Sequence, residues 1–454
     1  IACGLAEESG EPVALSCTGA TASRNYVPGL TEAFYRKLPV LAVTSTQHTG
    51  RIGQLAPQVI DRSQLMNDIA KISIQVPEVH STEDEWFCGV QINRALLELH
   101  HHGGGPVHIN LTTTYSRNFT IKELPKVKVI RRIGYSDKIP KLERGRIAVY
   151  VGAHHVWNDE LTHAVDNFCE SYNGVVICEH ISNYRGKYGV HPSLLTCQQQ
   201  YICGCAEPDI MIHIGNVSGF PANIRPKQVW RVNPDGEIRD TFKKLTCVFE
   251  MEEFDFFQRY IEAEEAKKQT SLTYYEAFKA ECGCIASKIP DLPFSNAWIA
   301  QQTGKRIPSG SILHLGILNT VRVWELFPIS ENVSVYANTG GFGIDGMVSA
   351  LLGAALANPK KIHFGIIGDL GFFYDMNSIG NRHISNNFRL MVINNGRGTE
   401  FRNFNHPAAR FGEEADAYMA AAGHYGNKSP KLIKHYAEDL GFEYMCASNK
   451  QEYM

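Results

Sequence analysis

Short apolar runs of strand length alternate with helix-length amphipathic stretches along the whole chain, a pattern that predicts parallel α/β layers. Residues 12–17 read as a strand, 22–37 as a helix, 39–44 as a second strand, and 106–112 as the last strand of a first block. Over 113–145 the periodicity fades and Lys122, Lys126, Lys128, Arg131 and Arg132 accumulate, which predicts a linker. A second block holds strand 146–151, helix 160–169 and strands 174–178, 209–214 and 228–232. Helix 252–268, with a solvated charged face, leads out of it. The third block, from about Phe294, holds strands 312–315 and 333–337, a glycine-rich turn at 340–346 and helix 347–357. Strand 361–367, a helical stretch at 372–384 and strand 388–393 follow. No internal repeat interrupts this order. The expected fold class is α/β, with three doubly wound parallel-sheet domains at 1–125, 126–290 and 291–454, the middle one opening on the linker.

Composition narrows the function classes. At roughly 150 residues per domain, 454 residues agree with about three domains. A net charge of −3 supplies no basic field for nucleic acid. No apolar run approaches the roughly 18 residues of a membrane span. The 12 cysteines are scattered, and Cys203/Cys205 and Cys282/Cys284 are C-x-C pairs without zinc-site spacing. Reduced thiols of a cytoplasmic protein are the expectation. His100-His101-His102 can bind metal, but beside Gly103-Gly104-Gly105 it reads as a solvated helix end and turn. Ile1 already reads as the inside of a helix, and 448–454 stop without a terminal element, so the chain is expected to be cut at both ends.

The sharpest local chemistry is strand, Gly368-Asp369, helix, strand, Asn394-Asn395. Asp369 is placed where a parallel strand meets a helix, at the carboxyl edge of the sheet where α/β folds bind ligands. A helix N-terminus there offers N–H groups to a diphosphate. Asp369 can hold a hard cation, and Mg²⁺ takes one or two protein oxygens plus phosphate oxygens. The next strand returns to the same edge, so Asn395, 26 positions on, can reach that ion, with a backbone carbonyl near Arg397 as a further ligand. A helix-capping Asp and an Asn-Gly turn account for the same residues without a ligand.

These residues, with Tyr374-Asp375-Met376-Asn377, resemble the cofactor motif of the thiamine-diphosphate superfamily of pyruvate decarboxylase and acetolactate synthase. Within it the nearest resemblance is to the menaquinone-pathway 2-succinyl-5-enolpyruvyl-6-hydroxy-3-cyclohexene-1-carboxylate synthase family. Asn338 with Gly343-Ile344-Asp345-Gly346, Asn25-Tyr26-Val27-Pro28 with Glu32-Ala33, and Val232-Asn233-Pro234-Asp235-Gly236 with Asp240 extend the likeness across all three blocks. The resemblance implies a pyrimidine-binding first domain, a diphosphate-binding third domain, and thiamine diphosphate with Mg²⁺ between two subunits of a homodimer or homotetramer. It implies cofactor contacts from Asn25, Gly343, Gly368, Leu370 and Gly371, and metal ligands from Asp369, Asn395 and the Arg397 backbone. Ile344 would be the apolar wedge that bends the cofactor, and the carbonyl near Phe342 would accept from its amino group. The cofactor supplies the electron sink for decarboxylating a 2-oxo acid. The family's proton-relay glutamate falls shortly before Ile1.

The substrate residues depart from the family. Arg322 matches an arginine that contacts a substrate carboxylate, a task suited to a planar guanidinium, although a surface ion pair accounts for it equally. Leu318 stands in place of a serine and Thr339 in place of a second arginine, and the segment 218–225 lacks the expected lysine. His48 and Gln58 lie in a loop that faces the cofactor in relatives, and His48 also suits a simple cap. The expected activity is decarboxylation with carboligation to an acceptor, on altered substrates. A plain decarboxylase releasing an aldehyde, and an inactive binding or regulatory member, are the alternatives.

Overall fold

The computed structural model describes the chain except residues 64, 115–118, 199–200, 221, 264–272, 405, 424–428 and 430. It divides into two compact units, Ile1–Ile139 with Val229–Met251, and Pro140–Gln228 with Glu252–Met454. In chain order the strands are β1 (Val13–Ser16), β2 (Val40–Thr46), β3 (Ser73–Val76), β4 (Val107–Thr112), β5 (Arg131–Ile133), β6 (Ile147–Val151), β7 (Gly174–Cys178) and β8 (Gly189–Val190). They continue as β9 (Ile210–Ile214), β10 (Gln228–Val232), β11 (Leu245–Phe249), β12 (Ile312–Leu315), β13 (Ser334–Ala337), β14 (His363–Gly368) and β15 (Phe388–Ile393). The pairings are parallel and helices separate most consecutive strands, so the α/β class expected from the pattern is the one observed.

In the first unit β1-β2-β4-β3 form one sheet, with Val13 opposite Val40 and Leu41 opposite Val107. The helix Val27–Tyr35 lays Leu30 and Ala33 on Val40 and Ala42. The stretch 22–37 is not one helix: a 3₁₀ turn, Ala20–Tyr26, precedes Val27–Tyr35. Pro28 explains the break, because it has no N–H for the preceding turn and suits a first helical turn. The expected linker also needs correction. Within 113–145, β5 pairs in parallel with β11, and three residues are too few to show a period. The helix Thr82–Glu98, capped by Ser81, is tied to the 229–251 segment by Trp86 Nε1 donating to Asp240 at 3.0 Å. The histidine run does end a helix in a turn. His101, however, is not solvated: Glu98 and Glu250 hold its two ring nitrogens at 2.9 Å each.

The second unit carries β9-β6-β7-β8, whose segments Ile147–Val151, Gly174–Cys178 and Ile210–Ile214 are buried throughout, as strands covered on both faces must be. The same unit carries β13-β12-β14-β15. Here β12 sets Leu313 against Val335 on one side and Phe364 on the other, and Trp324 lies fully buried below. The helix Met347–Ala357 packs Val348 and Leu351 against Ile367 and Phe372. The helical stretch expected at 372–384 begins earlier, as Asp369–Asp375, and continues as 3₁₀ Met376–Gly380. The helix expected at 252–268 is described as Glu253–Ile261, and 264–268 lie outside the described residues.

Candidate functional site

In the second unit β14 and β15 pair with Gly368 opposite Ile393, so both strands end at one edge. Asp369 begins the helix Asp369–Asp375 directly after β14 and is 1% exposed. Its carboxylate accepts the Leu370 amide at 2.9 Å and the Gly396 amide at 2.7 Å. A carboxylate rarely stays so buried without such donors. The Gly396 bond joins the two halves of the motif. Asn394 and Asn395 are exposed at the same edge, and the Arg397 amide leans on the Asn395 side chain at 3.5 Å.

The glycine-rich turn meets the same helix. A Cβ on Gly371 would stand 3.0 Å from the Ile344 carbonyl and 3.1 Å from the Ile367 side chain, so any side chain here would press the turn back by a few tenths of an ångström. Phe342 has φ +54°, a left-handed conformation that costs a side chain about 1–3 kcal/mol and is held here by the turn. Gly346, at φ +82°, starts the helix Met347–Ala357, and Gly343 and Ile344 lie between the two. Asp375 reaches across and accepts the Ser349 amide at 2.7 Å, capping that helix. Gly343, Ile344, Gly368, Asp369, Leu370, Gly371, Asn395 and Arg397 are thus gathered around one sheet edge.

Arg322 belongs to the short helix Asn319–Trp324. Its Nη1 contacts both carboxylate oxygens of Glu400 at 2.8 Å, so the guanidinium already faces an anion. Asn319 donates to Thr399 at 2.7 Å and accepts from Asn403 at 3.2 Å, which stitches the loop after β12 to the segment beyond Asn394-Asn395. Leu318 takes φ +60° at the start of this helix, and Thr339 is buried. Glu400 and Asn403 escaped sequence reading. Nothing in their spacing marks them, since their partner lies some 80 positions earlier in the chain.

Asn25, His48 and Gln58 lie in the first unit, and all three are exposed. His48 Nδ1 accepts the Gly50 amide at 3.1 Å and caps its own turn. Gln58 has φ +63°. Arg62, not singled out by its pattern, organises this loop from a 3%-exposed position. It donates to Ser23 Oγ at 2.8 Å and to the Ser45 carbonyl at 3.2 Å. Burial holds its guanidinium below the usual value.

No family model matches the chain. A curated relative from Bacteroides fragilis is 30% identical over 477 residues, covering 99% of this chain and 82% of its own length. One from Phocaeicola vulgatus is 31% identical over 485 residues with the same coverage, and one from Flavobacterium johnsoniae is 27% identical over 429 residues, 88% of this chain and 75% of its own. Each is a 2-succinyl-5-enolpyruvyl-6-hydroxy-3-cyclohexene-1-carboxylate synthase. The class is therefore that of the thiamine-diphosphate-dependent enzymes. Within it, the chain belongs to the 2-succinyl-5-enolpyruvyl-6-hydroxy-3-cyclohexene-1-carboxylate synthase family.

Proposed function

We propose that this enzyme binds thiamine diphosphate with Mg²⁺ at the Asp369 edge, decarboxylates a 2-oxo acid and passes the remaining fragment to an acceptor. The observation that carries the reading is the buried Asp369 carboxylate, oriented by the Leu370 and Gly396 amides at the joined ends of β14 and β15. That donor set fits a hard cation and a diphosphate: an oriented carboxylate, the exposed Asn395 amide oxygen and a helix N-terminus. When bound, the cofactor supplies the electron sink for loss of carbon dioxide. Asp369, Asn395 and the Arg397 carbonyl would hold the metal. Gly368, Leu370 and Gly371 would line the diphosphate, with Gly371 admitting the Ile344 turn. Ile344 would support the bent cofactor, and the Phe342 carbonyl would orient its amino group. Asn25, His48 and Gln58 would serve the pyrimidine and substrate side, contributed by a second copy of the chain in a homodimer or homotetramer. The 12 free thiols suit a cytoplasmic enzyme.

Asp369→Ala should lose cofactor affinity strongly and with it all turnover. Calorimetric titration of the folded variant with thiamine diphosphate and Mg²⁺ tests this, and an unchanged affinity would sink the proposal.

The substrates are proposed to differ from 2-oxoglutarate plus isochorismate. Arg322 is engaged by Glu400, while Leu318 and Thr339 replace polar groups. Each lost charge-assisted hydrogen bond costs on the order of 1.5–3 kcal/mol, so two weaken productive binding about a hundredfold or more. Steady-state comparison of that pair with pyruvate and other small 2-oxo acids decides the point. Turnover of the pair above every smaller donor would restore the family's substrates. Product analysis with and without an acceptor separates carboligation from simple aldehyde release.

A further inference from the structure

A second group of ligating side chains lies in the second unit, and the cofactor chemistry does not use it. His180 and His191 follow β7, and Glu325 follows the helix Asn319–Trp324. One ring nitrogen of each histidine and one Glu325 oxygen lie within 4.8 Å of one another. We propose that His180, His191 and Glu325 form a binding site for a zinc-type divalent transition metal, with a fourth position open to solvent.

Each proposed ligand is held by its other polar atom. His180 Nε2 lies 2.8 Å from the Phe327 carbonyl, which can only accept, so this nitrogen carries the proton and Nδ1 keeps its lone pair. His191 Nε2 faces Cys178 Sγ at 3.6 Å, leaving Nδ1 toward Glu325. Glu325 Oε2 accepts the His180 amide at 2.8 Å, leaving Oε1 toward His191. Fixing the far atom of every ligand is the outer-shell arrangement of metal sites. The His191 Nδ1 to Glu325 Oε1 separation is 3.5 Å. That is long for a hydrogen bond, but two donors each about 2.0–2.1 Å from a tetrahedral zinc stand about 3.4 Å apart.

Charge points the same way. Glu325 is 3% exposed, and Glu179 beside it is equally buried. A divalent cation between the histidines and Glu325 would offset this crowding of acids. His191, 43% exposed in its side chain, gives the entry route. His101, His102 and Glu250 in the first unit have comparable spacing, but Arg132 and Lys71 stand within the same ion-pair group and oppose a cation. The proposed ion would also fix the end of the segment that carries Arg322, one helical turn before Glu325.

The test is titration of the chelator-stripped full chain with Zn²⁺ by calorimetry and with Co²⁺ by its tetrahedral d–d absorption. Excess Mg²⁺ covers hard-cation sites such as Asp369. One equivalent should bind tightly. His191→Ala, at an accessible position, and Glu325→Gln, which keeps side-chain volume, should each weaken binding by more than the ~10–100-fold lost with an outer-shell partner. His102→Ala should bind like the parent. Failure of the parent to bind one equivalent, His191→Ala titrating like the parent, or loss of binding in His102→Ala would each overturn the assignment. If Glu325→Gln does not fold, the two histidine variants still decide it.

Discussion

At the scale of single residues, the site depends as much on a missing atom as on charged groups. Gly371 lets the Ile344 carbonyl approach, and so brings the segments 340–346 and 368–371 together. Gly371→Ala should leave the chain folded but push the turn away from the helix, at an overpacking cost of about 1–3 kcal/mol. Turnover should fall further than stability does, because the displaced residues are Phe342 and Ile344. Parallel measurement of turnover and denaturant midpoint checks this, and a variant equal to the parent in both would reduce Gly371 to a tolerated small residue. That Asp369 and Asn395 come to one sheet edge was legible in the sequence, because each closely follows an apolar run of strand length. Glu400 on Arg322, and Arg62 behind Ser23 and Ser45, were not. Each depends on a partner distant in the chain, and an isolated charge leaves no periodic trace.

At the scale of elements, the buried strands 147–151, 174–178 and 210–214 and the largely apolar helix 347–357 were legible in the sequence, whereas the helices Thr82–Glu98 and Thr273–Ala286 were not. The structure has 347–357 and 388–393 as a helix and a strand at the expected bounds. Short pieces such as β3, β5 and β8 carry too few residues to show alternation. Two element-level predictions follow from side chains that join neighbours. Asp375 caps the helix Met347–Ala357 through the Ser349 amide, and Asp375→Ala should cost about 1 kcal/mol. A denaturant midpoint matching the parent's would show that Ser378 or water replaces the cap. His108 on β4 sits between Thr44 at 2.8 Å and Ser73 at 2.7 Å. Burial, with the Arg62 charge adding to it, lowers its pKa to about 4, against 6.5 for an ordinary histidine. Between those values the unfolded chain binds a proton that the native chain refuses. Stability is therefore intact above the unfolded value and is lost as pH falls toward about 4, by on the order of 3 kcal/mol from this group. Unfolding titrations across that window should show a flatter acid limb for His108→Gln, and an identical slope would remove His108 from the account.

At the scale of the molecule, the α/β class was legible because apolar runs and amphipathic stretches alternate along the entire length. Subunit organisation leaves no comparable signal. With the pyrimidine side proposed to come from a second copy, the smallest active species of the enzyme should be a two-fold symmetric dimer. Light scattering coupled to an activity assay tests this, and an active monomer would contradict it. Mixing two inactive variants gives a sharper readout. Asp369→Ala and an Asn25 variant should regain part of the activity when combined, because a mixed dimer holds one intact site.

The β14–β15 ladder has a consequence for how far the chain can vary. What sets the reach from Asp369 to Gly396 is the pairing of Gly368 with Ile393, not the count of residues between the two halves of the motif. The connection through Arg382 and His383 is exposed and can grow outward at little entropic cost. A Gly-Ser insertion between Arg382 and His383 should therefore keep the site while altering the spacing of its motif. A single-residue insertion inside β15 leaves most of the sequence intact but turns its side chains to the opposite face and carries Asn395 off the edge. The geometry is thus measured in rungs, and a search by fixed interval would pass over relatives that still possess it.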